Sequence, residues 1–189
     1  IMDRIFGARG RARGGFSMRG QDHESRLRIS LADSYRGATR ALSLSVPDVN
    51  ARGDARPTPR TVNVTIPKGV TAGQRIRLAG QGGSGFNGGP AGDLLLEVEF
   101  EPHPHFRAEG RDIHLRLPVA PWEAALGAKV VVPTLGGKVE LSIPPGSQTG
   151  KRLRLGGRGL PGKPAGDQYC ELAVVVPEAR TEAQRALYQ

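Results

Sequence analysis

Val62-Asn63-Val64-Thr65-Ile66-Pro67-Lys68-Gly69-Val70-Thr71-Ala72-Gly73-Gln74-Arg75-Ile76-Arg77-Leu78-Ala79-Gly80-Gln81-Gly82 decides the fold, because its pattern is written twice. Val139, Leu141, Ile143, Pro144, Gly146, Gly150, Arg152, Leu153, Arg154, Leu155, Gly157 and Gly159 repeat Val62, Val64, Ile66, Pro67, Gly69, Gly73, Arg75, Ile76, Arg77, Leu78, Gly80 and Gly82. The offset is a constant 77 residues (139 − 62), without a gap. Both copies then reach a second shared string, Pro90-Ala91-Gly92-Asp93 and Pro164-Ala165-Gly166-Asp167. There the offset is 74 (164 − 90), so the first copy carries three more loop residues. An internal repeat with period-2 apolar runs and turn glycines predicts two tandem copies of one β unit.

Composition bounds what these units can be. The 189 residues suffice for one large or two small domains, and the repeat favours two. Only 5% of residues are aromatic, so each half builds a thin core of Val, Leu and Ile. The 27 glycines and 15 prolines fit many strands joined by tight turns. Net charge is +9, divided as +5 before Pro102 (15 cations against 10 acids) and +4 after it (12 against 8). A spread excess of this kind attracts polyanions, nucleic acid above all, although it also serves solubility alone. The single cysteine, Cys170, alternates with Leu172 and reads as core; one cysteine excludes an internal disulfide framework and a Cys-rich zinc site. No run approaches the roughly 20 apolar residues of a membrane span, and the N-terminus lacks a secretory signal core. A soluble cytoplasmic protein is expected.

Along the chain, residues 1–20 mix Arg4, Arg9, Arg11, Arg13 and Arg19 with glycines and no sustained period, which predicts a linker with something preceding it. Leu27, Ile29 and Leu31 alternate as a half-buried strand. Asp33 to Gly37 reads as a turn or helical turn closed by glycine. Leu42, Leu44 and Val46 alternate again. Pro47 to Pro59 has no apolar rhythm and is expected to be a loop. Val62 to Ile66 is a strand, Pro67 to Gly73 a turn, and Ile76 and Leu78 share a face of another short strand. Gly80 to Gly92 is expected to be an irregular, mobile loop. Leu94, Leu96, Val98 and Phe100 close the first unit. Pro102-His103-Pro104-His105 marks a semi-rigid boundary, since proline cannot donate to a sheet ladder. In the second unit Ile113, Leu115 and Leu117 alternate, and Pro121 to Leu126 reads as helical turns ending at Gly127. Val130 and Val132, the repeated segment, and Cys170, Leu172, Val174 and Val176 complete it. Glu178 to Gln189 looks helical.

Enzyme chemistry finds little support. The glycine loops lack the Gly-Lys-Ser/Thr ending of a phosphate loop, and Gly150-Lys151-Arg152 fails it. His103 and His105 have no accompanying Cys or carboxylate cluster to complete a metal site. No catalytic residue, cofactor or metal is expected. Lys151, Arg152, Arg154, Arg158 and Lys163 place five cations within 13 residues with no acid among them. They are candidates for phosphate contacts, weighed against an ordinary solvated face. No recognition helix, zinc finger or RNA-binding aromatic signature accompanies them, so backbone or shape recognition is the form expected.

Pro121-Trp122-Glu123-Ala124-Ala125-Leu126-Gly127, Val132-Pro133-Thr134-Leu135 and Ile143-Pro144-Pro145-Gly146-Ser147-Gln148-Thr149-Gly150 resemble the C-terminal region of J-domain co-chaperones, the DnaJ family, from about Arg19 to Gln189. The chain looks closest to the curved-DNA-binding branch. The resemblance implies an all-β fold: two tandem β-sandwich domains with short helices, of the DnaJ C-terminal peptide-binding type. It divides the chain into a linker at 1–20, domain I at 21–102, domain II at 103–179, and the start of a dimerisation helix at 180–189. No His-Pro-Asp helical hairpin is present, and no cysteines interrupt the first domain, so the chain resembles the zinc-free class without its J-domain.

By the same resemblance, Leu27, Ile29, Leu42, Leu44 and Leu96 line a client trough in domain I, where an extended segment of unfolded protein lies as an added strand. Their spacing alone makes them ordinary core. Arg40 falls where the family holds the acidic tail of its DnaK-type, ATP-driven partner; a solvated arginine fits equally. The expected function is capture of apolar segments of unfolded proteins for that partner, with homodimerisation in the full-length protein. The alternative is a largely sequence-independent DNA-binding protein of the nucleoid.

Overall fold

The structure is a computed structural model and describes residues 17–49 and 55–187. Most of the expected linker, the tip of the expected 47–59 loop and the last two residues of the expected C-terminal helix lie outside the described residues.

The elements follow in order. They are β1 (His23–Ile29), α1 (Leu31–Arg36), β2 (Ala38–Val49), β3 (Ala55–Ile66), β4 (Arg75–Leu78), β5 (Leu94–Phe100), β6 (Phe106–Glu109) and β7 (Asp112–Val119). Then come α2 (Pro121–Leu126), β8 (Ala128–Thr134), β9 (Gly137–Ile143), β10 (Arg152–Leu155), β11 (Gln168–Val174) and α3 (Glu182–Leu187). Two sheets have the orders β1-β5-β4 and β10-β11-β7-β6; two hairpin ribbons pair β2 with β3 and β8 with β9. The fold class is all-β, as the alternation predicted.

The described residues fall into two compact units, one drawn from residues 1–25, 42–62 and 77–96, the other from 26–41, 63–76 and 97–189. In the second unit, β7 and β11 pair in parallel from Ile113–Gln168 to Val119–Val174. Leu115, Leu117, Val119, Cys170 and Leu172 point inward and meet Val132, Leu141 and Ile143 of the β8–β9 ribbon and Ala124 of α2. Each such aliphatic burial stabilises by about 1.5–3 kcal/mol before ordering costs. Leu31, Ile113 and Leu160 form a smaller cluster in the same unit. Gly69, at φ +76°, lies so close to residue 161 that a Cβ would overlap the Pro161 carbonyl. Packing thus draws α1 and the turn after β3 into this unit, whereas the sequence duplication changes copies near Pro102.

The caps explain the short helices. Ser30 Oγ accepts the Asp33 N–H at 3.1 Å, and Asp33 Oδ2 accepts the Ser30 N–H at 3.1 Å, a reciprocal capping pair. In α2, proline occupies the first turn and Glu123 Oε2 accepts the Ala120 N–H at 2.8 Å. Gly37 and Gly127 end the two helices at φ +76° and +81°.

Three expectations change. The loop read across Pro47 to Pro59 is largely strand, since β2 runs to Val49 and β3 starts at Ala55. A two-stranded ribbon has an outer side to each strand, where a missing proline N–H breaks no ladder. The four-residue β6, pairing Phe106 with Leu115 and Glu109 with Asp112, was not read from the sequence at all. The Gly80–Gly92 loop is irregular but tightly packed. Gly82 donates to Gly92 O at 2.8 Å, Gly92 to Gly83 O at 2.9 Å, and Gly83 to Gln21 O at 2.9 Å. A Cβ on Gly20 would overlap the Gly83 carbonyl, so glycine here permits backbone contact rather than motion.

Candidate functional site

The repeat carries a duplicated polar clamp. In the first copy Asp93 accepts the Arg77 Nε at 2.7 Å and the Gly80 N–H at 2.9 Å, and its own N–H donates to Asp22 Oδ1 at 2.7 Å. In the second, Asp167 accepts Arg154 Nε at 2.7 Å and the Gly157 N–H at 2.7 Å, and its N–H donates to Asp112 Oδ1 at 2.8 Å. The Gly80 N–H first, then Arg77, holds the Asp93 carboxyl below its usual range, against an opposing effect of desolvation. Gly157 first and then Arg154 do the same for Asp167. The shared Gly-Asp string read in the sequence is therefore a structural lock on the strand ends.

The five trough candidates divide. Leu27, Ile29 and Leu96 are sealed, at 2%, 0% and 0% exposure. They pack as core in this conformation and offer no face to a client, which corrects the expectation that all five line an open trough. Alternation identifies a strand face but not what covers it. Leu42 and Leu44 differ: they are half-buried and alternate with exposed Ser43 and Ser45 on β2. Among the described residues β2 pairs only with β3, leaving its other edge free of a strand. A free edge beside alternating apolar side chains is the chemistry needed to accept an extended polypeptide.

Arg40 is engaged. Its guanidinium lies 2.5 Å from Asp33 Oδ2, the carboxylate that caps α1, and its side chain remains 40% exposed. His103 Nδ1 accepts the N–H groups of His105 and Phe106, each at 3.1 Å, which fixes the turn into β6. Cys170 is fully buried, and that burial pushes its thiol pKa up.

The run of five cations is not acid-free in space. Glu171 lies opposite Arg152 in the β10–β11 register, 3.4 Å away, and Asp167 holds Arg154. Lys151, Arg158 and Lys163 are exposed and make no ion pair among the described residues. The antiparallel partner strand and the residue just before it supply the acids, which a linear scan of the run does not see.

The same strands build a polar outer face that the sequence reading missed. Register places Arg154 opposite Tyr169, Tyr169 opposite His114, and His114 opposite Arg107. The His114 and Tyr169 rings stack at 5.4 Å and 17°. Strand parity could have found these residues, since each alternates with buried positions of β7 or β11 or half-buried positions of β6 or β10.

Duplicated sandwich-type units with an open strand edge and a polar sheet face define a tandem all-β module. Residues 23–177 match the family model described as DnaJ C terminal domain, and the chain belongs to that family. It is 50% identical over 194 residues to the Curved DNA-binding protein of Coxiella burnetii (strain Dugway 5J108-111), covering all of this chain and 62% of that protein. It is 49% identical over 173 residues to the protein of that name from Pseudomonas putida KT2440, covering 90% of this chain and 54% of the relative. A third Curved DNA-binding protein, from Salmonella arizonae, is 48% identical over 192 residues, covering all of this chain and 63% of the relative. The chain thus spans less than two thirds of the length of these relatives.

Proposed function

We propose that this chain is a polypeptide-binding region of a J-domain co-chaperone, capturing exposed apolar segments of unfolded proteins as a strand added to β2. The observation that carries this reading is the outer edge of β2, unpaired among the described residues, with Leu42 and Leu44 half-buried beside it. Main-chain hydrogen bonds to an edge are indifferent to client sequence, while contacts with two half-buried leucines give weak, reversible affinity. The residue divisions 21–102 and 103–179 are the two copies of the binding module, and the segment from 180 starts a helix through which the longer protein dimerises. Arg40 and neighbouring charges would receive the acidic tail of a DnaK-type partner. The role is one of binding, without catalysis, cofactor or metal, in the cytoplasm.

A second reading is DNA binding at the nucleoid, favoured by the net charge of +9 and by the name the relatives carry. The two activities coexist on different surfaces. They are separated by titrating the chain with a denatured client and with duplex DNA. Leu42→Ser with Leu44→Ser weakens the first and spares the second; Lys151→Glu with Arg158→Glu and Lys163→Glu does the reverse. Parallel loss of both activities in both variants contradicts separate surfaces.

A further inference from the structure

The repeat allows the two copies to be compared position by position. His23 N donates to Asp93 O at 2.8 Å and Ile113 N to Asp167 O at 2.9 Å. Glu101 N donates to Ile29 O and Val175 N to Val119 O, each at 2.9 Å. β7 therefore corresponds to β1 at an offset of 90 (113 − 23), and β11 to β5 at an offset of 74 (167 − 93). By these offsets Arg116 stands where Arg26 stands in the first copy, and Ala173 where Glu99 stands. Arg26 pairs with Glu99 at 3.2 Å. Arg116 keeps the cation but has lost that acid, and Glu171 stands opposite it in the β7–β11 register. His114 replaces Glu24, and Tyr169 replaces Leu95. The second copy has thus given up two carboxylates on its outer face, and one cation, Pro118 standing where Arg28 pairs with Glu99 in the first.

The remaining charges on that face are unevenly matched. Glu171 is held by Arg152, Asp167 by Arg154, and Glu109 lies 3.5 Å from His114 Nε2. Arg107 and Arg116 are exposed and have no ion pair among the described residues. Arg107 and Arg154 end a row four strands wide, or three strand intervals of about 4.8 Å, roughly 14 Å. That span is comparable with the ~12 Å width of a DNA major groove, so cations at the two ends can meet phosphates on both sides. Between them the His114 and Tyr169 rings stack at 5.4 Å and 17°.

We propose that the outer face of β6, β7, β11 and β10, carried by Arg107, Arg116 and Arg154 around the His114–Tyr169 stack, is a contact surface for the phosphate backbone of duplex DNA. This rests on the DNA-binding reading and adds a contact surface to the exposed cations Lys151, Arg158 and Lys163.

The test is fluorescence anisotropy of a short labelled duplex, titrated with the full chain at two salt concentrations. The variants are Arg107→Glu with Arg116→Glu, Arg107→Gln with Arg116→Gln as a milder form, and Arg36→Glu with Lys138→Glu as an equal charge change on α1 and β9. Thermal unfolding verifies that each folds. The face variants lose at least about tenfold in affinity, and the slope of log K against log salt falls by about 2, at ~0.9 per phosphate contact. The α1/β9 variant keeps the parent slope. Equal losses in all three variants overturn the surface and leave a diffuse charge effect. Unchanged binding by the face variants overturns it outright, and a parent that does not bind DNA overturns the reading beneath it.

Discussion

Asp167 stands to the second copy as Asp93 stands to the first: each accepts an arginine Nε at 2.7 Å and a glycine N–H from the turn after a short strand. The arginines are 77 residues apart and the aspartates 74, so the three-residue difference between copies is absorbed in the loop between them. The Gly80–Gly92 loop takes the longer path and packs by glycine contacts.

Acid stability reads this lock. Both carboxyls titrate below the ordinary aspartate value of 3.8, through the glycine N–H first and the arginine next. A carboxyl with a depressed folded pKa adds stability that is fully present above its unfolded value and is lost as pH falls through the folded one. The melting temperature therefore drops as pH is lowered from about 5 to below 3.8. Asp93→Asn with Asp167→Asn starts lower and falls less over the same range. Parallel acid profiles for parent and variant contradict the assignment.

Gly69 and Gly146 share a backbone conformation, at φ +76° and +73°, but not surroundings. A Cβ at Gly146 meets open space; at Gly69 it overlaps the Pro161 carbonyl. Gly146→Ala is expected to cost about 1–2 kcal/mol for the left-handed backbone alone. Gly69→Ala costs a further ~1–3 kcal/mol for the displaced neighbour. Urea unfolding of the two variants measures the difference, and equal costs refute the close approach.

Leu96 and Leu44 separate core from binding surface. With Leu96 fully buried, Leu96→Ala destabilises by about 2–5 kcal/mol. Leu44→Ala, half-buried on β2, costs less stability but weakens capture of an unfolded client. Chemical denaturation and a client titration on both variants check the pair. A Leu44 variant with full client affinity and a large stability loss places Leu44 in the core.

Arg40 and Asp33 make a partly exposed pair, so Arg40→Ala costs at most about 1 kcal/mol of stability. Binding of an acidic peptide weakens in the same variant. Retained peptide affinity, measured by anisotropy, leaves Arg40 as a brace for the α1 cap and nothing more.

The duplicated architecture was legible because the repeat preserves its turn glycines and inward strand positions, and both copies fold alike: β4 and β10 are offset by the same 77 residues. The helix at Pro121–Leu126 was legible from proline at its start and glycine after its end. Other features were not, for physical reasons. Pro47 and Pro59 hid strands, because proline rules out a central strand but not the outer side of a ribbon. The acids paired with Arg152 and Arg154 are Glu171 on β11 and Asp167 just before it, beyond any local window. Period-2 alternation gave Leu27, Leu42 and Leu96 the same signature, although one is half-buried and two are sealed. Burial depends on what packs above a face, which periodicity does not encode.

Amide hydrogen exchange on the chain with and without an extended apolar peptide tests strand addition at β2 most directly. New hydrogen bonds at the free edge are predicted to slow exchange at amides within residues 38–45 when the peptide is bound. A peptide that binds with no added protection there, or with protection confined to another strand edge, contradicts the account.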